Sequence, residues 1–431
     1  MSRVAIAFVL AALAAGPARA RLSDTEQRIV AAVKQRSPAA LELLERSARI
    51  NSGTANLEGV REVGQVFRAE LDGLGFTTHW VDMPSEMKRA GHLVATREGT
   101  QGKRLLLLGH LDTVFGKASK VVPWEPRGER LRGQGVSDMK GGIVIVLEAL
   151  RALQAVGALA GTSISVMLTG DEESTGTPLE VARAEMVALA KRSDAALSFE
   201  GVGRRASRDV VVIARRAQSR WSLEVKAKRG HSSRVFTNEL GYGAVFEAAR
   251  ILNAFREKLV ERGVTFNPGI ALGGTEAKYL DDTGSGTAFG RRNVIASDFV
   301  VHGDLRFVTP EQGERTRQRM REIVSASLPG TSATIRFGDR YPAMAPSDAN
   351  MGLLEAYSRA SQDAGYGPVE TDDPEARGAG DVQFTAPYIP GLDGLGAFGS
   401  NEHSDDEELE IASIERGAVR AALLIYRLTR P

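Results

Sequence analysis

Arg104-Leu105-Leu106-Leu107-Leu108-Gly109-His110-Leu111-Asp112-Thr113 decides the architecture. Four leucines in a row are too few for a helix and lack the alternation of a strand with one solvated face. They read as a strand buried on both sides, the pattern of a parallel sheet covered by helices. Residues 163–168 and 195–199 repeat that pattern. Between such strands, the run from Gly141 to Leu153 reads as a helix in spite of its β-branched residues. Upstream, Ser23 and Asp24 open one helical segment, and Val60 to Leu74, ended by Gly75, forms another. Strands alternating with helices predict an α/β fold, a mainly parallel sheet flanked by helices.

The texture changes near Ala217. Trp221-Ser-Leu-Glu-Val-Lys-Ala-Lys228 alternates apolar with polar residues, as a strand with one wet face does. A helix over about 242–259, strands over 270–279 and 298–307, a helix from Pro310 to about Leu328 and a strand over 332–337 follow. That order is ferredoxin-like. After Arg340 the α/β texture resumes and ends in a helix over 414–428. The expectation is an α+β domain, 217–339, inserted into a domain built from 21–216 and 340–431.

Composition narrows the function. The chain has 431 residues, 42% hydrophobic and 25% charged, enough apolar content for two packed cores. Its 55 cations against 54 anions leave +1, which argues against nucleic acid as a partner, since phosphate neutralisation needs a clustered basic excess. The absence of cysteine removes disulfides, thiol nucleophiles and thiolate metal sites, so any metal must sit on His, Asp and Glu. Arg3, the apolar run Val4 to Ala15 and the small-residue pattern Ala18-Arg19-Ala20 read as an export signal over 1–20, cleaved after Ala20. Roughly twelve apolar residues fall short of the ~20 that span a bilayer. A periplasmic or secreted protein without stable membrane insertion is expected, with a short uncleaved anchor as the alternative.

Three buried strands end in side chains that bind metals: the first in His110 and Asp112, the second in Asp171-Glu172-Glu173, the third in Glu200. In open α/β sheets the carboxyl ends of the strands border the ligand crevice. Asp138 lies in a glycine-rich loop before a helix, and His403 follows another glycine-rich strand end. Taken singly, His110 reads as a buried structural histidine, Asp138 as a helix cap, the 171–173 run as a solvated turn and Glu200 as an ion-pair partner. Their joint placement points instead to a pair of divalent cations, zinc first among them, held by nitrogen and oxygen. The tandem Glu172-Glu173 offers one metal ligand and one free carboxylate to take a proton from water. Gly394-Leu-Gly396-Ala-Phe-Gly399 satisfies GxGxxG but leads into an acidic loop, which excludes the dinucleotide reading. His79, His92 and His302 show no ligand spacing.

These residues resemble the M20 metallopeptidases over nearly the whole mature chain. The likeness rests on Gly109-His110-Leu-Asp112-Thr-Val, Gly135-Val-Ser-Asp138-Met-Lys-Gly-Gly142, Thr169-Gly-Asp-Glu-Glu173, Phe199-Glu200-Gly, Gly230-His231-Ser-Ser, and His403-Ser with Glu407 behind it. The stretch Glu239 to Ala248 is similar to the lid helix of the glutamate carboxypeptidase subgroup. The resemblance implies one zinc on His110, Asp138 and Glu200 and a second on Asp138, Glu173 and His403, with cobalt or manganese as alternatives. It further implies Glu172 as general base and acid, Asp112 orienting His110, and a cis peptide between Asp138 and Met139. The inserted domain would be a lid and homodimerisation domain whose His231 reaches the partner's site to stabilise the oxyanion. Arg306, with Asn293 in the motif before it, would grip the substrate's terminal carboxylate.

The implied activity is zinc-dependent hydrolysis of an amide or peptide bond beside a free carboxylate, in a small peptide or N-acyl amino acid. A deacylase for N-acyl amino acids is the rival within the family. An exported binding protein without catalysis is the rival outside it, and Glu172 separates the two, because a binder has no use for a base that holds no metal. Gly243 replaces an asparagine that contacts the substrate in the glutamate carboxypeptidases. Gly378-Ala-Gly-Asp381 lacks the usual hydroxyl residue before its aspartate, and Asn401-Glu402 is an uncommon lead into His403. None of these departures removes a ligand or the base.

Overall fold

The computed structural model describes residues 22–119, 122–281 and 283–430. The signal expected over 1–20, with its cleavage point, lies outside the described residues.

The leucine run lies in the strand Gln101–His110, inside a six-stranded sheet ordered Thr77–Val81, His92–Arg97, Thr162–Thr169, Gln101–His110, Ala195–Ser198, Gly391–Leu392. His92–Arg97 is antiparallel to both of its neighbours, and the four strands beyond it pair in parallel. Leu105 and Leu107 pack into one apolar cluster and Leu106 and Leu108 into another, so the strand is covered on both faces as its composition requires. The first cluster contains the helix Gly141–Ala155, which is buried along most of its length, together with the terminal helix Ile411–Leu428. Gly142 lets the start of the helix Gly141–Ala155 lie against the end of the strand Ala195–Ser198: a Cβ there would lie 2.0 Å from the Phe199 carbonyl oxygen. At the other end of the described chain, Ser23 and Glu26 form a capping box on the helix Asp24–Gln35.

Register places the strand ends. His110 is level with Thr169, and Leu108 with Ser198, so two residues further on Glu200 draws level with His110.

A second sheet is antiparallel throughout, in the order Thr265–Gly274, Asp298–Phe307, Ala217–Ala227, Thr331–Tyr341. With the helices Ala244–Lys258 and Pro310–Ser325 it has the ferredoxin-like arrangement. One face of the sheet supplies Trp221, Leu223, Val225, Val301 and Leu305 to a core shared with Ile251, Phe255 and Met320 of the helices. The strand expected over 270–279 is two strands. It breaks at Thr275, whose N–H and hydroxyl both donate to the Phe289 carbonyl, and Glu276–Leu280 then pairs with Ser285–Phe289 in a separate hairpin. Among the described residues, no helix is long and apolar enough to cross a membrane.

Candidate metal centre

His110 is the last residue of its strand, and its imidazole is buried. Asp138 approaches from a tight turn. Gly135 has φ +67°, the turn Val136–Lys140 follows with a cis peptide between Asp138 and Met139, and the helix Gly141–Ala155 begins directly after. Glu407 holds this turn from below: its buried carboxylate accepts from the N–H groups of Gly135 (2.8 Å), Ser137 (2.8 Å) and Asp138 (3.0 Å). The same loop brings in His403, because Glu407 lies at the foot of the short ribbon formed by Gly399–Ser400 and Glu408–Glu410. His403 itself has φ +63°, a conformation uncommon outside glycine.

These elements assemble two groups of donors that share Asp138: His110, Asp138 and Glu200, and Asp138, Glu173 and His403, with the donor atoms of each group within 4.8 Å of one another. Asp138 divides its oxygens between them. Oδ1 is 3.0 Å from His110 Nε2, and Oδ2 is 3.0 Å from His403 Nε2. Glu200 Oε1 lies 3.6 Å from His110 Nε2, and Glu173 Oε2 lies 3.2 Å from His403 Nε2. Glu172 belongs to neither group, yet it lines the same cleft of about 170 Å³.

The charges are those of a site built for cations. Burial, reinforced by Asp138, pushes Glu173 up to about 7 and Glu200 up to about 8. Burial also raises Glu172 well above the carboxylate range, with Glu200, Asp381 and Glu173 adding to it. The hydrogen bond to Asp138 lifts His403 to about 9. At His110 burial opposes the charge, but Glu200, Asp112 and Asp138 outweigh it and hold the imidazolium well above its ordinary value. Asp138 is held low by its bonds to the two imidazoles in spite of burial. Glu173 Oε1 is buried without a hydrogen-bond partner. An orphaned carboxylate oxygen among crowded carboxylates and two imidazoles fits a pair of divalent cations, which would meet the unmet acceptor and the excess negative charge together.

Asp112 contacts His110 and does more besides. His110 Nδ1 bonds the Asp112 main-chain oxygen at 2.9 Å, with carboxylate Oδ1 further off at 3.6 Å. The carboxylate instead accepts from the N–H of Glu172 (3.0 Å), the N–H of Glu173 (3.2 Å) and the hydroxyl of Thr54 (2.6 Å). One residue therefore orients the imidazole through its backbone and both glutamates through its side chain.

The remaining predicted residues lie elsewhere within the chain. His231 is exposed, its Nδ1 2.8 Å from Ser233 Oγ, and Asn293 is its neighbour, accepting from the Ser232 N–H. Arg306 sits on the second sheet, in the strand Asp298–Phe307, with Nε 3.1 Å from Asp304 Oδ2. None of the three lines the cleft. His92 is a satisfied core histidine, bonded to the Ala182 carbonyl and the Gly170 N–H, and His302 stacks on Tyr279.

Several residues at the site escaped the sequence reading. Buried Arg183 bridges Asp171 (2.6 Å) and Asp381 (2.8 Å), fixing the turn that carries Glu172 and Glu173. Arg215 and Arg377 line the cleft. No local pattern marks these arginines. Glu407, by contrast, was visible behind His403.

Comparison with known proteins gives the family. The family model described as Peptidase family M20/M25/M40 matches residues 106–427, well over half of the chain. Carboxypeptidase G2 of Pseudomonas sp. (strain RS-16) is 27% identical, covering 99% of this chain and 98% of its own. Succinyl-diaminopimelate desuccinylase of Rhodospirillum centenum is also 27% identical, over 80% of this chain and 86% of its own. Among solved structures, aminopeptidase PepT from Bacillus cereus superposes with a TM-score of 0.69 at 17% identity, covering 94% of this chain and 99% of that one. The YXEP protein of Bacillus subtilis, described as a dinuclear metal binding peptidase from the M20 family, gives 0.63 at 15% identity, over 92% and 99%. The chain belongs to peptidase family M20/M25/M40, and it is a metal-dependent hydrolase.

Proposed function

We propose that the protein is a zinc-dependent carboxypeptidase or amidohydrolase that cleaves the amide next to a free carboxylate in a small peptide or N-acyl amino acid. The observation that carries this reading is the division of labour at Asp138: its two oxygens serve two donor groups while Glu172, in the same cleft, serves neither. Imidazole and carboxylate donors suit zinc, with cobalt or manganese compatible. Two such ions, when bound, supply acidified water and a polarised carbonyl.

The chain's own residues do the rest. Glu172 holds the proton taken from water and returns it to the leaving amine, a role worth about 10²- to 10⁴-fold. Asp112 fixes the backbone of Glu172 and Glu173, so base and ligand keep their spacing. His231 stabilises the oxyanion from a partner subunit, since it is exposed and outside its own cleft. A homodimer through the lid is supported by the exposed rings of Phe236 and Phe246, 5.4 Å apart between centroids, with half-buried Tyr242 packed on Phe236 at 5.2 Å. The protein acts in the periplasm or outside the cell after cleavage at Ala20.

The test is a screen of purified, metal-loaded protein against dipeptides and N-acyl amino acids with a chelator control. Hydrolysis that the chelator abolishes and zinc restores is the expected result. No hydrolysis of any member, with both ions bound, contradicts it.

A further inference from the structure

Arg377 lines the metal-donor cleft together with Arg215, Gly201 and Gly378. Two contacts hold its guanidinium: Nη2 donates to the Gly201 carbonyl at 3.0 Å and Nε to Asp372 Oδ2 at 3.2 Å. Gly201 directly follows Glu200, so the cation stands beside the ligand set rather than out on the lid. The loop that carries it is itself pinned. Buried Arg215 gives Nε to Asp393 Oδ2 (2.6 Å) and Nη1 to the Gly378 carbonyl (2.7 Å).

The charge of Arg377 is incompletely met. Asp372, its partner, is shared with Arg205, whose Nη2 lies 2.6 Å from Oδ1, so one carboxylate stands between two guanidiniums. Among the described residues, Nη1 of Arg377 has no hydrogen-bond partner. Its side chain is 24% exposed, neither sealed nor freely solvated, and a Cβ built on the adjoining Gly378 meets no atom within 4 Å. There is room for a ligand beside a partly desolvated, fixed guanidinium, a setting in which a charge-assisted hydrogen bond keeps much of its strength. Arg306, by contrast, is turned to Asp304 on the lid.

We infer that Arg377 binds the free carboxylate flanking the scissile amide, with Arg215 a positioning residue for its loop, so that the cleft itself selects acids over their amides. The inference rests on the hydrolase reading above.

The test uses the zinc-loaded full chain and a panel of dipeptides and N-acyl amino acids, each paired with its C-terminal carboxamide. Arg377→Met is expected to lower kcat/KM for the acids about ten- to hundredfold. The loss falls mainly on KM, the amides change little, and Arg377→Lys retains part of the preference. The inference is overturned if the parent shows no preference for acids, if Arg377→Met lowers acids and amides equally, or if only Arg306→Met abolishes the preference. Calorimetric binding of the same panel to zinc-loaded Glu172→Gln protein, with and without Arg377→Met, separates the two readings. A preference for acids that Arg377→Met removes upholds the subsite even where no turnover is seen, while a parent that binds but hydrolyses nothing refutes only the hydrolase reading.

Discussion

Replacing Asp112 by Asn changes one oxygen for an amide group and little else in volume. The buried carboxylate serves three donors, two of them on Oδ2 and one, the Glu172 N–H, on Oδ1. The asparagine oxygen goes to the side with two donors, which turns its NH₂ group against the Glu172 N–H. A buried N–H left without an acceptor costs about 1–3 kcal/mol, and weakening the two surviving bonds from charged to neutral costs roughly another 1 kcal/mol. The metal-free variant should therefore be about 2–4 kcal/mol less stable in urea unfolding. The damage is directional, because Glu172 loses its anchor while Glu173 keeps its own. Turnover should fall about 10- to 100-fold, and metal content measured by plasma mass spectrometry should stay closer to the parent's. Parent-like stability and turnover together would refute the argument, as would loss of both ions with turnover per bound ion unchanged.

Further outcomes follow from the same geometry. His110→Ala removes a nitrogen donor from one group, so one ion should be lost and activity with it; full occupancy of both positions would remove His110 from the ligand set. Glu173, Glu200 and Glu407, raised by burial to about 7, 8 and 7, bind protons in the folded metal-free protein that the unfolded chain has released. Metal-free stability should accordingly fall as pH rises from about 4.5 to 7, and His403, raised to about 9, works in the same direction from about 6.5. Lys140, lowered by burial to about 7, opposes this between about 7 and 10.5, so the fall is sharpest below 7. Unfolding midpoints that rise with pH across that lower window would contradict the assignment. For the lid, heterodimers of His231→Ala and Glu172→Gln chains should recover activity absent from either homodimer, and proven heterodimers without recovery would exclude a shared site.

Much of this centre was legible because its ligands sit where sequence pattern and chemistry coincide. His110 ends one strand and Glu200 follows another by two residues, the apolar runs of both strands show their burial, and register in a parallel sheet then brings the two residues level. The break at Thr275 was hidden because it depends on a partner 14 residues away, the Phe289 carbonyl, which takes both its N–H and its hydroxyl, and local composition does not record that pairing. The double use of Asp112 was hidden for a related reason. The resemblance implies only that Asp112 orients His110, whereas the strand end turns the Asp112 carbonyl to the imidazole and leaves the carboxylate to accept from the turn 171–173. Arg183, Arg215 and Arg377 act across more than a hundred residues or through loops, and no periodicity records such pairings.

Metal content and turnover of Glu172→Gln, measured side by side, test the central claim most directly. The account predicts about two divalent ions per chain in both parent and variant, with hydrolysis lower by about 10²-fold or more in the variant. Turnover at the parent's level would contradict it, and so would loss of an ion on changing a residue that belongs to neither donor group.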